Sequence, residues 1–159
     1  TGINRGTLYN SFGDKDTFFK SCVDHYNKVV ETQIAASLKN SKMGPWEAIE
    51  AYFDETVLNV TNKHRSMGCL LVNSVCESIN YDKEMRKVVR GSLATIRKAL
   101  VARLKEAHKN RKVKKGVSVE FAADVLMNSL HGMRVNSRDG KTPKQLKELV
   151  KFTVSSLKK

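Results

Sequence analysis

The sequence predicts an all-α protein, and three features carry that prediction. Proline is nearly absent from the 159 residues, and the two that occur, Pro45 and Pro143, stand where a helix can begin. Interior proline removes a backbone donor and clashes with the preceding turn, so long helices are permitted between them. Apolar residues recur at steps of three and four along most of the chain, the period of a helix with one buried face. Residues that favour helix starts, Asn4, Asp14, Ser118 and Thr142, stand ahead of four of the runs.

Taken in order, Asn4 opens a short helix from Arg5 to Phe12 that Gly13 ends, with Leu8 and Phe12 on its buried side. Asp14 caps a second helix running towards Leu38, along which Phe18, Cys22, Val29 and Ala36 form one stripe and Phe19, Tyr26, Val30 and Ile34 another beside it. Such a wide apolar face suits a helix that links two packed parts. Ser41 to Gly44 is a turn, and Pro45 preorganises a third helix that carries Trp46, Ile49, Tyr52, Phe53, Val57 and Val60. The stretch from Asn62 to Gly68 is polar and is not counted among the helices. An apolar helix follows from Cys69 to Ile79. The longest amphipathic run, from about Asp82 to Lys112, places Met85, Val88, Val89, Leu93, Ile96, Leu100 and Leu104 on one side. Ser118 then caps a helix with Phe121, Val125, Leu126, Leu130 and Met133. After a polar loop over Asn136 to Lys141, Thr142, Pro143 and Gln145 form a capping box for the last helix, with Leu146, Leu149, Val150, Phe152, Val154 and Leu157. Seven helices are expected.

The length suits one sizeable core, or one domain with a small appendage. A mean hydropathy of −0.42 is that of an ordinary soluble chain. No apolar run approaches the ~20 residues that span a bilayer, so no membrane partner and a cytoplasmic location are expected. Cys22, Cys69 and Cys76 cannot all pair within one chain and show no zinc spacing, which fits a reducing compartment. The formal charge of +13 favours a polyanionic partner. The opening forty residues are nearly balanced, however. Most of the excess lies later, in Arg97, Lys98, Arg103, Lys105, Lys109, Arg111, Lys112, Lys114 and Lys115, which suit either a solvated helix face and loop or a nucleic-acid contact. His25, His64, His108 and His131 are scattered, and there is no nucleophile motif, facing carboxylate pair or phosphate loop. An enzyme is not expected, nor a metal or cofactor.

The opening stretch, Gly2-Ile3-Asn4-Arg5-Gly6-Thr7-Leu8-Tyr9-Asn10-Ser11-Phe12-Gly13-Asp14-Lys15-Asp16-Thr17-Phe18-Phe19, resembles the recognition helix and following helix of the tetracycline-repressor (TetR) family. The resemblance rests on the Gly-Thr-Leu-Tyr core, the aromatic three residues after it and the lysine that opens the next helix. The residues themselves agree with that likeness. A helix so short has little reason to form alone, because nucleation costs more than a few hydrogen bonds return, but it serves as a rigid reader held against neighbours. Arg5 could pair with guanine, Asn10 could read adenine or a phosphate, and Thr7 and Tyr9 offer hydroxyls. Gly6 permits close approach, and Lys15 adds charge to amides that face a phosphate.

The resemblance implies a DNA-binding regulator, a repressor by the family's habit. Arg5, Gly6, Thr7, Tyr9 and Asn10 would lie near bases, and Tyr9, Ser11 and Lys15 near phosphates. It implies further helices ahead of Thr1, and Ser11 departs from the aromatic or histidine often found at its position. Residues 1–40 would complete the DNA-binding domain, and 41–159 would form the ligand-binding and dimerisation domain. The segment Gly68-Cys69-Leu70-Leu71-Val72-Asn73-Ser74 resembles the start of the helix bordering the family's ligand cavity. The last two helices stand in the order that builds its dimer interface, with Phe121, Val125, Leu146, Val150 and Val154 as candidate contacts. A homodimer would read a palindromic operator, and an unidentified small-molecule inducer would release it. Trp46, Tyr52, Phe53, Cys69, Asn73, Cys76, Met127 and His131 are the candidate pocket residues, although an aromatic or methionine at helical spacing is more often plain core. Cys69 or Cys76, near Lys63, His64 and Arg65, could serve as a sensor thiol or as a small hydrophobe. The alternative to the regulator is a helical small-molecule-binding or interaction module without DNA-binding activity.

Overall fold

The structure, a computed structural model, describes the backbone of residues 2–159 and all their side chains except those of Arg5 and Asn80. Its helices are α1 (Arg5–Phe12), α2 (Lys15–Ala36), α3 (Pro45–Phe53), α4 (Asn62–Met67), α5 (Leu70–Cys76), α6 (Lys83–Lys109), α7 (Val119–Arg138) and α8 (Pro143–Leu157). The all-α expectation holds, and each of the seven expected helices is present.

The caps sit where the sequence puts them. Asn4 Oδ1 accepts from the Gly6 amide at 2.8 Å, Asp14 Oδ1 from Thr17 at 2.7 Å and Ser118 Oγ from Phe121 at 3.2 Å. At Thr142 the capping box closes both ways: the Gln145 amide donates to Thr142 Oγ1 at 3.3 Å and the Thr142 amide to Gln145 Oε1 at 3.0 Å. Each such cap satisfies a backbone donor that the helix start leaves open.

Several boundaries differ from expectation, and the helix expected from Cys69 to Ile79 stops at Cys76, ahead of a separate 3-10 turn over Ser78–Asn80. The third helix stays α-helical only to Phe53, then widens into a π-helical turn over Asp54–Leu58. An additional short helix, α4, forms in the polar stretch, where the Thr61 hydroxyl accepts from the His64 amide at 3.3 Å and Gly68, at φ 72°, ends it. None of its residues is buried, so it lacks the periodicity that betrays a helix. Finally, α7 runs on to Arg138 through the expected start of a loop.

The core lies where α6 and α7 pack on each other and on α2, α3, α5 and α8. Ile49, Tyr52, Phe53, Leu100, Leu104, Leu126, Leu130 and Leu146 are fully or almost fully enclosed, each worth about 1.5–3 kcal/mol of transfer free energy. Two polar devices fasten the periphery. Arg103, buried on α6, donates from Nε to the Leu38 carbonyl at 2.6 Å, from Nη2 to the Asn40 carbonyl, and from Nη1 to Glu106 at 2.8 Å. It thereby ties the chain after α2 to α6. Trp46 Nε1 donates to the Lys112 carbonyl at 3.0 Å, joining α3 to the segment after α6.

These contacts also divide the late basic cluster. Arg103 is interior, and Arg97 pairs with Asp124 at 2.8 Å, while Lys105, Lys109, Lys112, Lys114 and Lys115 are exposed. The cluster is not one continuous cationic face.

Candidate functional site

Two places in the fold carry residues singled out by the sequence: the short helix α1 and a cavity in the helical body. In α1, Leu8 is half-buried and the Phe12 ring lies 5.1 Å from that of Phe18, edge-on. This contact, with the Asp14 cap, fixes the angle between α1 and α2. Gly6, Thr7, Asn10 and Ser11 are exposed on the far side, and Lys15 is exposed at the start of α2. Tyr9 is half-buried, because one residue is a rotation of about 100° and sets it on the flank of the Leu8–Phe12 side rather than opposite it. The Ser11 hydroxyl donates to the Thr7 carbonyl at 3.0 Å. The Arg5 side chain lies outside the described residues. Hydrogen bonds from Thr17, backbone first, hold the Asp14 carboxyl below its ordinary range.

Beyond the first turn of α2, Phe19 stacks on Tyr81 with ring centroids 5.3 Å apart, connecting the α1–α2 end to the start of α6. The cavity lies further along α2. It has a volume of about 460 Å³ and is lined by α2, the π-helical turn, α4, the start of α5 and the end of α7, a size within the range of small-molecule sites. The wide turn exposes Thr56 and Val57 to it, and irregular helical turns of this kind often accompany functional sites. Gly68 is needed at its rim: φ is positive, and an added Cβ would lie 3.2 Å from Arg138 Cδ.

Only one of the predicted pocket residues, Asn73, lines this cavity. Trp46, Tyr52, Phe53 and Met127 are core residues. Cys69 and His131 flank a much tighter space between α2, α5, α6 and α7, and Cys76 is exposed beside a separate depression near Arg138. The aromatic and sulfur residues were drawn inward by core packing, for which helical spacing is the same signal.

The residues that sequence reasoning missed are polar. Arg134 on α7 lines the cavity and donates from Nη1 to Tyr26 Oη at 3.2 Å; Tyr26 in turn donates to Cys69 Sγ at 3.4 Å. Burial pushes the Tyr26 phenol up to about 12 and raises Tyr52 further still. Burial disfavours the Arg134 cation while the neighbouring thiol and phenols favour it, and the guanidinium stays protonated. Burial, helped by the Arg134 charge, lowers His131 below its ordinary value. Ser137, one turn beyond Arg134, is buried with its hydroxyl unpartnered. Arg65 donates from Nη2 to the Leu58 and Val60 carbonyls at 3.2 and 3.3 Å, closing the end of the π-helical turn, and its Nε has no partner.

The candidate dimer residues divide by exposure. Leu146, Val150 and Val154 are buried within this chain's own core, because the inward stripe of α8 packs on α7 and α3. The outward apolar side chains are Phe121, 60% exposed, and Val135 on α7, with Leu149 and Phe152, 73% exposed, on α8; Val125 is half-buried. Among the described residues no group of side chains could hold a metal ion, and no helix is long and apolar enough to cross a membrane.

A family model described as the tetracyclin repressor-like C-terminal domain matches residues 45–152. Over 155 residues the chain is 22% identical to the HTH-type transcriptional repressor ComR of Escherichia coli (strain K12), covering 97% of this chain and 73% of that protein. Among solved structures it is similar to the regulatory protein TetR from Rhodobacter sphaeroides, with a TM-score of 0.85 at 15% identity over 98% of this chain and 82% of that one. It is similar also to the TetR family transcriptional regulator CifR, a cysteine mutant complexed with 26-base-pair operator DNA, with a TM-score of 0.78 at 18% identity over 97% and 80% of the two chains. At these identities the structural likeness speaks to the fold.

Proposed function

The chain belongs to the tetracyclin repressor-like family of transcription regulators, and from that premise we propose that it represses transcription as a homodimer released from a palindromic operator by a small molecule. The observation that carries this reading is a short helix presenting Gly6, Thr7 and Asn10 to solvent while Phe12 packs on the helix that lines the cavity. Reader and cavity thus share one rigid element, α2. A ligand that shifts α2 changes the separation of the two readers, and differential affinity for the two separations is what couples the sites.

In this reading Arg5, Gly6, Thr7 and Asn10 face the base edges, and Tyr9, Ser11 and Lys15 face phosphates. Partners meet through the outward faces of α7 and α8. Phe121, Val125 and Val135 recur along one stripe of α7 with Gly132 between them, where the missing side chain allows close approach, and Leu149 and Phe152 extend that surface onto α8. An apolar surface of this kind is what a two-fold, self-complementary contact needs.

Substitution in α1 tests the assignment. Replacing Arg5 or Asn10 by Ala is expected to relax base preference at one position of each half-site and to cost about 1–3 kcal/mol of specific binding. A helical ligand-binding module without a reader would show no change in any binding property.

A further inference from the structure

The cavity wall is cationic and lacks a counter-charge. Arg134 and Arg65 both line it, and neither Asp nor Glu does. The ion pairs among the described residues are Arg97 with Asp124 and Arg103 with Glu106, so Arg134 pairs with no carboxylate. A guanidinium partly withdrawn from water without an anion is less favourable than one that is paired. The Ser137 hydroxyl, on the same side of α7, is buried without a partner, and Arg65 Nε is likewise unpartnered. Buried polar groups are nearly always hydrogen-bonded, so two unpartnered donors, Ser137 Oγ and Arg65 Nε, beside a guanidinium without a counter-charge indicate a missing common partner. The remaining wall includes Val57, Met67 and Leu70, which are apolar.

We propose that this cavity binds an organic carboxylate: an apolar molecule whose single anionic end pairs with Arg134 and accepts from Ser137. This rests on the reading above that the cavity is the ligand site, and it adds the chemical class of the ligand. Arg134 suits the role because its contact with Tyr26 fixes one Nη and leaves a planar fork that matches two carboxylate oxygens. Arg65 spends one nitrogen, Nη2, on the Leu58 and Val60 carbonyls, so it adds positive field and keeps Nε and Nη1 as donors. A cationic ligand would meet two like charges. A neutral amide could satisfy Ser137 but would leave the guanidinium unneutralised.

Titration calorimetry of the full-length protein with naphthalene-1-acetate, 4-phenylbutyrate and decanoate, each against its primary amide, tests the class. At least one acid is expected to bind about tenfold or more tighter than its amide, a factor of ten being the weight of one good polar contact. Arg134→Gln, which keeps a donor for Tyr26, should remove that preference, and Arg134→Lys should restore part of it. Equal affinity for acids and amides, no binding by any acid, or an acid preference that survives Arg134→Gln would overturn the proposal; the acid-amide comparison needs no variant. Operator affinity measured on the same samples reads the regulator assignment separately. Acids that bind without weakening DNA binding support the anion site and count against release by it.

Discussion

Arg103 and Arg134 each carry a cation into the helical body, and the two regions treat it in opposite ways. Around Arg103 the guanidinium meets the Leu38 and Asn40 carbonyls and Glu106, and the residue is almost wholly enclosed. Around Arg134 it meets one phenol and a cavity. A saturated buried cation is part of the scaffold, since each of its donors replaces one lost from water. An unsaturated one lowers no folding free energy by itself, and its partner has to be sought outside the chain. The contrast separates the residues that hold the fold from those available for function.

Urea denaturation of variants at both arginines distinguishes the two roles. Arg103→Met should lower stability by about 3 kcal/mol, because it strands the Leu38 and Asn40 carbonyls, whereas the part-exposed Glu106 carboxylate can turn to water. Arg134→Gln should change it by less than about 1 kcal/mol, as removing an unneutralised charge offsets the lost contact. A cost for Arg134→Gln as large as that for Arg103→Met would show Arg134 to be scaffold. A smaller effect belongs to the caps: Thr142→Ala opens the capping box of α8 and should cost about 1 kcal/mol.

The smallest effect is electrostatic and ties His131 to Arg134. Burial and then the Arg134 charge depress the imidazole, so the folded state favours its neutral form. Stability is therefore full above the ordinary histidine value, near 6.5, and declines as acidification carries the pH from there down through the depressed folded value. Denaturation midpoints between about pH 7 and pH 5 should fall less for His131→Gln than for the unmodified protein. Arg134→Gln should also flatten that fall, since it removes the second cause. Identical pH profiles in all three proteins would disconnect His131 from the arginine.

Much of this fold was legible from residue order, because caps and stripes are local. Asp14, Ser118 and Thr142 bond to amides three residues on, a relation visible in the sequence. The extra helix α4 was not legible, since Thr61 and Gly68 bound a segment with no buried side chain. For the candidate site the difficulty was different. Helical spacing marks Tyr52, Phe53 and Met127 as inward without saying whether they face core or cavity, and all three face core. A usable signal did exist on α7: Arg134 and Ser137 stand on the inward stripe with Leu126, Leu130 and Met133. A polar residue among apolar ones at helical spacing was a better guide than any aromatic. The lack of a counter-charge for Arg134 depends on α2, α4 and α5, which come together only in the folded chain. On α8 the period marked Leu146, Val150 and Val154 as one apolar side, and the second apolar side, Leu149 and Phe152, is what stays outside.

In the proposed function α1 reads DNA as part of a two-fold regulator. Fluorescence anisotropy of the full-length protein against a pool of palindromic duplexes and a scrambled control, across a salt series, tests it most directly. A DNA-reading dimer should bind one duplex selectively at one dimer per site, with a steep salt slope and a loss of about 1–3 kcal/mol on Arg5→Ala. Equal and weak binding to every duplex, unchanged by Arg5→Ala, would contradict it.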